Sequence, residues 1–254
     1  MQPTIIIDAG HGGFDNGAIY NGRREKDDTL RLALAVGKKL EQAGFPVVYT
    51  RTTDVYQRPV DKARIANDSG GDYFVSIHRN ASAQPNMYNG VQTLVFNDSG
   101  VPAKMARSIN AELENLGFQN LGVSERRELA VLRRTRMPAV LVEAGFIDSD
   151  VDNELFDNNF DAVAAAIAKG IENAVGTNQG TGAKTFGVQV GLFRRYENAE
   201  YLMNQLEAQG YSVQIRDWNG YYSVVVGNES SLDAARRLEK ELQKKGYSTL
   251  IVNI

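Results

Sequence analysis

The chain contains two histidines, and each comes at the end of an apolar segment that is typical of a buried strand. His11 follows the segment Thr4–Asp8 in a glycine-rich turn, and His78 closes the segment Asp72–His78. In open α/β sheets, ligands bind beyond the carboxyl ends of the strands. We therefore expect both imidazoles at one edge of a sheet, where their nitrogens can bind a metal ion or transfer protons.

A carboxylate closes a third apolar segment, Ala139–Glu143. Burying an ionised carboxylate is costly unless it is paired, protonated or close to a metal. A hydrolytic zinc site has three protein ligands and a water molecule, and two histidines with one glutamate are a common set. The histidines supply two ligands, and spacing alone leaves three carboxylates as candidates for the third: Asp8, Glu25 and Glu143.

Each of these residues also has a purely structural explanation. A histidine after a strand is often a turn residue, and Glu143 has Arg133 as a possible ion-pair partner. Glu25 lies in the charged run 23–28, which is typical of a solvated face. The shared position of both histidines and Glu143 at one predicted sheet edge favours a common site.

The composition restricts the chemistry of such a site. The absence of cysteine excludes disulfides, a thiol nucleophile and thiolate metal ligands, so nitrogen and oxygen atoms must hold any transition metal. The net charge of -3 argues against affinity gained by neutralising nucleic-acid phosphates. No apolar run approaches the roughly 20 residues that span a bilayer. The first residues show no secretion signal, so an extracellular protein would be processed or released by cell lysis.

Strand-like and helix-like segments alternate over residues 1–175. This alternation predicts an α/β fold with a mostly parallel sheet flanked by helices. The predicted strands are 4–8, 45–49, 72–78, 91–96 and 139–143, and the predicted helices are 29–43, 60–67, 101–116 and 159–175.

A different pattern follows residues 176–184, whose glycine- and threonine-rich composition predicts a flexible linker. Residues 185–254 contain an internal repeat in which each unit reads as strand, helix, Gly-Tyr-Ser turn and strand. We predict a small α+β domain of βαββαβ order, ferredoxin-like or RNP-like, whose helices cover one sheet face and leave the other open. Ten identities at an offset of 36 carry the repeat: Val188, Val190, Gly191, Ala199, Leu202, Leu206, Gly210, Tyr211, Ser212 and Ile215 recur as Val224, Val226, Gly227, Ala235, Leu238, Leu242, Gly246, Tyr247, Ser248 and Ile251.

Six motifs occur in order along residues 3–172: IDAGHGGFDNGA, EKDDTLRLAL, TRTTD, ARIAN, FVSIHRNA and RMPAVLVEAGFID. Together they resemble the zinc-dependent N-acetylmuramoyl-L-alanine amidases of bacterial cell-wall lysis. The resemblance implies a six-stranded sheet between helices and one zinc ion per chain. One departure is Ala9, where the family usually has proline, and this should loosen the turn without touching a ligand. By the same resemblance, His11, Glu25 and His78 are the zinc ligands, Glu143 is the catalytic carboxylate, and Asn80 and Arg133 line the site.

The C-terminal repeat resembles SPOR domains, which recognise peptidoglycan glycan strands without stem peptides. The resemblance rests on FGVQVGLF at 186–193, on Asn198 and Ala199, and on YSVVVG at 222–227. Side chains alternate between the two faces of a strand, which predicts the open face. We expect the glycan to bind there, at Gln189, Tyr221 and Ser223, with Trp218 beside them.

These features predict a monomeric enzyme that hydrolyses the amide bond between N-acetylmuramic acid and L-alanine in peptidoglycan. It would act on the cell wall as a bacterial autolysin or a phage endolysin, and the C-terminal domain would target it to glycan strands. The main alternative is a catalytically inactive peptidoglycan-binding protein on the same scaffold. An RNA-binding protein is disfavoured because the aromatic RNP1 pattern is absent. A serine hydrolase is disfavoured because no Gly-x-Ser-x-Gly motif occurs.

Overall fold

A computed structural model describes residues 2–175, 186–218, 220–229 and 231–253, with the backbone alone for Trp218 and Asn253. The chain divides into two compact units, Met1–Thr177 and Asn178–Ile254. The predicted linker, residues 176–184, lies outside the described residues. Within the described ranges, no helix has the length and apolar character needed to cross a membrane. The elements of the first unit are β1 (Ile5–Ala9), β2 (Ile19–Tyr20), β3 (Arg23–Arg24), α1 (Glu25–Gln42), β4 (Val47–Tyr49), α2 (Pro59–Asp68), β5 (Tyr73–Asn80), β6 (Val91–Val95), α3 (Gly100–Glu114), β7 (Asn120–Glu125), α4 (Ala130–Arg134), β8 (Ala139–Phe146), α5 (Asp150–Asn158) and α6 (Phe160–Val175).

Six of these strands form one sheet in the order β4-β1-β5-β8-β6-β7. Strands β4, β1, β5 and β8 are parallel, whereas β6 and β7 run parallel to each other and antiparallel to β8. The predicted α/β fold with a mostly parallel six-stranded sheet is confirmed. Because β1, β5 and β8 are parallel, their carboxyl ends point to the same edge of the sheet.

Helices cover both faces of the sheet, and the strands alternate their side chains between two cores. The larger core, which includes Ile7, lies against α1, α3 and α6. The smaller core, which includes Phe74 and Leu141, lies against α2 and α4. His78 and Glu143 are paired across β5 and β8 and share the face of the smaller core, but they lie nearer the carboxyl edge.

Helix α1 begins at Glu25, four residues earlier than predicted. Residues 25–28 of the charged run therefore form its first turn, and Glu25, Lys26 and Asp28 are buried rather than solvated. Each has a charged partner from a distant part of the chain. Lys26 Nζ donates to the Asp54 carboxylate at 2.7 Å, and Arg79 Nη1 donates to Asp28 at 2.9 Å. The alternative interpretation of this run as a solvated face is wrong for these three residues, because their partners are invisible in the local sequence.

The second unit has the predicted βαββαβ order, and its sheet is antiparallel in the order β10-β11-β9-β12. Its two helices pack on one face, around a core that includes Val188, Leu206, Val224 and Leu242. The fold predicted from the repeat is confirmed. The elements are β9 (Phe186–Phe193), α7 (Tyr196–Glu207), β10 (Val213–Trp218), β11 (Tyr221–Glu229), α8 (Leu232–Lys244) and β12 (Leu250–Asn253).

Candidate active site

Two histidines and one glutamate converge near the ends of β1 and β5 and the start of α1. Glu25 Oε2 lies 3.0 Å from His11 Nε2, and Glu25 Oε1 lies 2.9 Å from His78 Nδ1. The imidazole rings meet edge to face with centroids 4.9 Å apart. One nitrogen or oxygen atom from each residue lies within 4.8 Å of the others. Bonds from zinc to nitrogen and oxygen ligands are about 2.0–2.2 Å long, so these separations are short enough for all three residues to bind one ion.

The Glu25 carboxylate is held from several sides. Besides the two imidazoles, it accepts hydrogen bonds from the backbone amides of Ala18 at 3.0 Å and Arg79 at 3.2 Å. Burial alone would raise the pKa of Glu25, but the hydrogen bonds from His11 and His78 hold that pKa well below its usual range. The carboxylate stays ionised, and the cluster attracts positive charge in the form of protons or a metal cation.

His11 is positioned by a tight turn. Its backbone is left-handed, with φ at 59°, which a residue with a side chain rarely adopts. Gly12 and Asp15 exchange two backbone hydrogen bonds of 2.9 and 3.1 Å, which close the turn. The Asp15 carboxylate lies 2.9 Å from His11 Nδ1, so Nε2 faces Glu25. A carboxylate behind the imidazole is the usual support of a metal-binding histidine. The sequence interpretation missed Asp15, whose one signal was its place four residues after the histidine.

Protonation of His11 follows from the same neighbours. Burial alone would lower the pKa of His11, but the carboxylates of Glu25 and Asp15 outweigh burial and raise that pKa to about 9. A metal ion bound here must displace this proton, so metal affinity should fall as the pH is lowered.

Two glycines leave the space that the cluster fills. A Cβ atom at Gly10 would collide with the imidazole of His78. A Cβ atom at Gly17 would collide with the Glu25 carboxylate and the His11 ring. Gly17 also has a left-handed backbone, with φ at 64°, which favours glycine. The turn after β1 therefore needs glycine for room as well as for conformation.

A fourth group, the Glu143 carboxylate, lies on the neighbouring strand. Glu143 pairs with His78 across β5 and β8, and β8 continues to Phe146, so Glu143 lies within its strand rather than at the predicted end. Within the described part of the chain, its buried Oε2 atom has no hydrogen-bond partner. Burial raises the pKa of Glu143 to about 7 against the opposing effect of His78. A half-buried carboxyl whose Oε2 atom has no partner, beside three residues that can hold a cation, is a candidate general acid–base group.

Similarity to known proteins identifies the family of the chain. Residues 5–173 match the N-acetylmuramoyl-L-alanine amidase family, and residues 182–253 match the SPOR domain. The chain belongs to this amidase family. It is 36% identical over 213 residues to the sporulation-specific N-acetylmuramoyl-L-alanine amidase of Bacillus subtilis (strain 168), and the match covers 82% of each chain.

Two further comparisons support the same family. The amidase is 34% identical over 189 residues to the endolysin of Bacillus phage SPP1, which covers 72% of this chain and 69% of the endolysin. It is also similar to the crystal structure of the N-acetylmuramoyl-L-alanine amidase from Clostridium difficile 630. The TM-score is 0.63 at 32% identity, and the match covers 68% of this chain and 96% of that one.

The other two residues predicted for the site of the amidase lie in different places. Asn80 is the last residue of β5, on the same edge as the cluster, and its Oδ1 atom accepts a hydrogen bond from the Ala81 amide at 2.8 Å. Arg133 is an exposed residue of α4 that lines a groove beside Ala139, at the start of β8. The role of Arg133 in the site stays a prediction.

Asp8, the remaining carboxylate considered as a metal ligand, has a structural role in the amidase. Asp8 is fully buried and accepts hydrogen bonds from Thr50 at 2.5 Å, Ser76 at 2.6 Å and Lys62 at 2.8 Å. Lys62 also donates to the Ala9 carbonyl. Burial alone would raise the pKa of Asp8, but Lys62 and the hydroxyls outweigh burial and lower that pKa. This buried ion pair fixes the end of β1 directly before the histidine turn.

Breaking this pair should destabilise the fold strongly. We expect Lys62→Met to lower the free energy of unfolding by about 3–5 kcal/mol, because the Asp8 carboxylate would be left buried without its cation. Chemical denaturation at neutral pH measures the change, and Lys38→Met on the exposed side of α1 is the control, expected within about 0.5 kcal/mol of the wild type. Because the pKa of Asp8 is lowered by folding, its contribution is present at neutral pH and is lost as acid protonates it. Equal stability of the two variants would contradict a structural role for the pair.

The open face of the SPOR sheet carries a groove of about 490 Å³. Gln189 and Ser223, both predicted to bind glycan, line it, and Ser223 Oγ donates to Gln189 Oε1 at 2.8 Å. Tyr221 does not line the groove, and its hydroxyl accepts hydrogen bonds from Arg194 at 3.3 Å. The side chain of Trp218 lies outside the described residues. The other lining residues combine apolar and charged groups: Leu192, Arg216, Asp217, Val225, Leu250 and Val252.

Proposed function

We propose that this amidase is a zinc-dependent enzyme that cleaves the bond between N-acetylmuramic acid and L-alanine, with His11, Glu25 and His78 as the zinc ligands. The observation that carries the proposal is the cluster of these three residues beside the unpartnered carboxyl of Glu143. Two imidazoles and a carboxylate form a nitrogen and oxygen ligand set that suits zinc. A bound zinc ion would polarise the scissile carbonyl and lower the pKa of a water molecule to about 7.

Glu143 carries out most of the reaction steps that we assign to the protein. Its carboxylate takes the proton of the attacking water and passes that proton to the departing amine. A pKa of about 7 suits both steps, because the group can accept and donate a proton near neutral pH. Asp15 keeps the His11 ring oriented through the hydrogen bond at Nδ1.

Identification of the bond that is cut tests the proposal directly. Purified cell walls digested by the full chain should release stem peptides with a free L-alanine amino group and leave intact glycan strands, as seen by mass spectrometry. A strong chelator should abolish the release and zinc should restore it. Cleavage within the glycan or within the stem peptide would refute the proposed bond. Binding to walls without any cleavage would support an inactive wall-binding protein instead.

We further propose that the groove on the open SPOR face binds glycan strands and so targets the amidase to the cell wall. The mixture of apolar side chains with the polar pair Gln189 and Ser223 suits a sugar chain, which presents both apolar ring faces and hydroxyls. Tethering raises the effective concentration of the catalytic domain at the wall.

Removing one polar group of the groove should weaken this attachment. We expect Gln189→Ala in the full chain to raise the dissociation constant for glycan strands without stem peptides by about 3- to 10-fold, the usual worth of a hydrogen bond. Co-sedimentation with such strands measures binding, and hydrolysis of a small soluble substrate should be unaffected. The control is Gln205→Ala on the exposed side of α7, which should bind like the wild type. Equal binding by Gln189→Ala would move the glycan site away from this groove.

A further inference from the structure

A polar row continues from Glu143 onto the two neighbouring strands. Gln92 of β6 stands directly opposite Glu143 in the antiparallel pair of β6 and β8. The Gln92 amide nitrogen donates to the hydroxyl of Ser124, on β7, at 3.0 Å. Side chains directly opposite in such a pair have their Cβ atoms about 4.5–5.5 Å apart, so Gln92 is an immediate neighbour of Glu143.

Gln92 and Glu143 project from the same face of the sheet. The residues beside Gln92 point to the other face, where Val91 joins the larger core and Thr93 donates to the buried Asn110 at 2.6 Å. Val142, which precedes Glu143, lies in that larger core too. Because strand residues alternate between faces, Gln92 lies beside Glu143 at the site.

The row offers one acceptor and one donor. Gln92 and Ser124 are both half-buried, so part of each is open to solvent. The Ser124 oxygen already accepts from the Gln92 amide, which leaves the hydroxyl hydrogen free to donate. In the parts of the chain that the structure describes, no group donates to Gln92 Oε1. A peptide group needs one acceptor for its N–H and one donor for its C=O, and this pair provides both.

The proposed reaction predicts which part of the substrate lies beside Gln92 and Ser124. The zinc ligands lie on the β1 and β5 side of Glu143, whereas Gln92 and Ser124 lie on its β6 and β7 side. In that reaction the scissile carbonyl would face the ligands and the departing nitrogen would face Glu143. The stem peptide, which is the chain attached to that nitrogen, would then extend toward β6 and β7.

We propose that Gln92 and Ser124 form a subsite that binds the first peptide group of the stem beyond L-alanine. The inference rests on the proposed amidase function and deepens it, because it makes recognition of the stem part of the same site. The amidase should therefore prefer substrates with a stem of two or more residues to substrates that carry L-alanine alone.

Two soluble substrates test the subsite: N-acetylmuramoyl-L-alanine and N-acetylmuramic acid with a three-residue stem. The quantity measured is the ratio of kcat/KM for the long substrate to that for the short one. We expect Gln92→Ala and Ser124→Ala each to lower this ratio by about 3- to 10-fold, chiefly through KM for the long substrate. Gln42→Ala, at the exposed far end of α1, is the matched glutamine control and should keep the wild-type ratio.

Each outcome separates the subsite from the proposed function. If the wild type cleaves neither substrate, the proposed function fails. If the wild type cleaves both substrates and the variants lose activity equally on both, Gln92 and Ser124 act only by positioning Glu143. That result would overturn the proposed subsite. An unchanged ratio in both variants overturns it as well. Ser124→Ala removes only one oxygen atom from a half-buried position, so it provides the test even if Gln92→Ala fails to fold.

Discussion

Glu143→Gln is expected to lower the rate of amide hydrolysis by about 10²- to 10⁴-fold while zinc stays bound. The substitution keeps the size of the side chain but removes the group that accepts and donates the proton. Glu143 lies on β8, and the three proposed zinc ligands come from other parts of the chain, so their arrangement should persist. The loss should fall on kcat rather than on KM, because the proton transfers occur in the transition state.

Steady-state kinetics and the zinc content of the purified protein measure these two effects. Glu154→Gln, an exposed glutamate on α5, is the matched control and should retain wild-type activity and zinc. Retained activity in Glu143→Gln would remove the residue from the mechanism. Loss of zinc from Glu143→Ala would instead make Glu143 a ligand and return Glu25 to a structural role.

The second large effect is expected from the metal ligands. His78→Ala should lower zinc affinity by more than about 100-fold, since even the supporting partner of a ligand is usually worth about 10- to 100-fold. Hydrolysis should fall to background, because the chemistry that zinc supplies is lost. Asp15→Ala removes only the support of His11, so its loss of zinc affinity should lie within that smaller range.

Competition with a chromophoric chelator measures the zinc affinity of each variant, and circular dichroism checks the fold. Neither His78 nor Asp15 belongs to an apolar core, so the variants should remain folded. Wild-type zinc affinity in His78→Ala would remove this residue from the ligand set. An Asp15→Ala loss as large as that of His78→Ala would make Asp15 a ligand rather than a support.

The sequence by itself determined the fold of both units. Alternating apolar segments predicted the α/β sheet, and the offset of 36 residues predicted the βαββαβ order, because both depend on local periodicity. The two histidines could be placed near strand ends for the same reason. Element ends were less predictable, as β8 passes Glu143 and reaches Phe146.

The tertiary structure decided which carboxylate lies with the histidines. Asp8, Glu25 and Glu143 were equivalent in local spacing, but their partners come from distant parts of the chain. Lys62 forms an ion pair with Asp8, and the two imidazoles contact Glu25. Glu143 Oε2 has no hydrogen-bond partner among the described residues.

The same limit explains what else the sequence left out. Gln92 was not singled out, yet it stands opposite Glu143. Periodicity tells which face of a strand a side chain occupies, but strand order and direction decide which side chains become neighbours. Those depend on pairing between segments far apart in the chain, which only the folded structure contains.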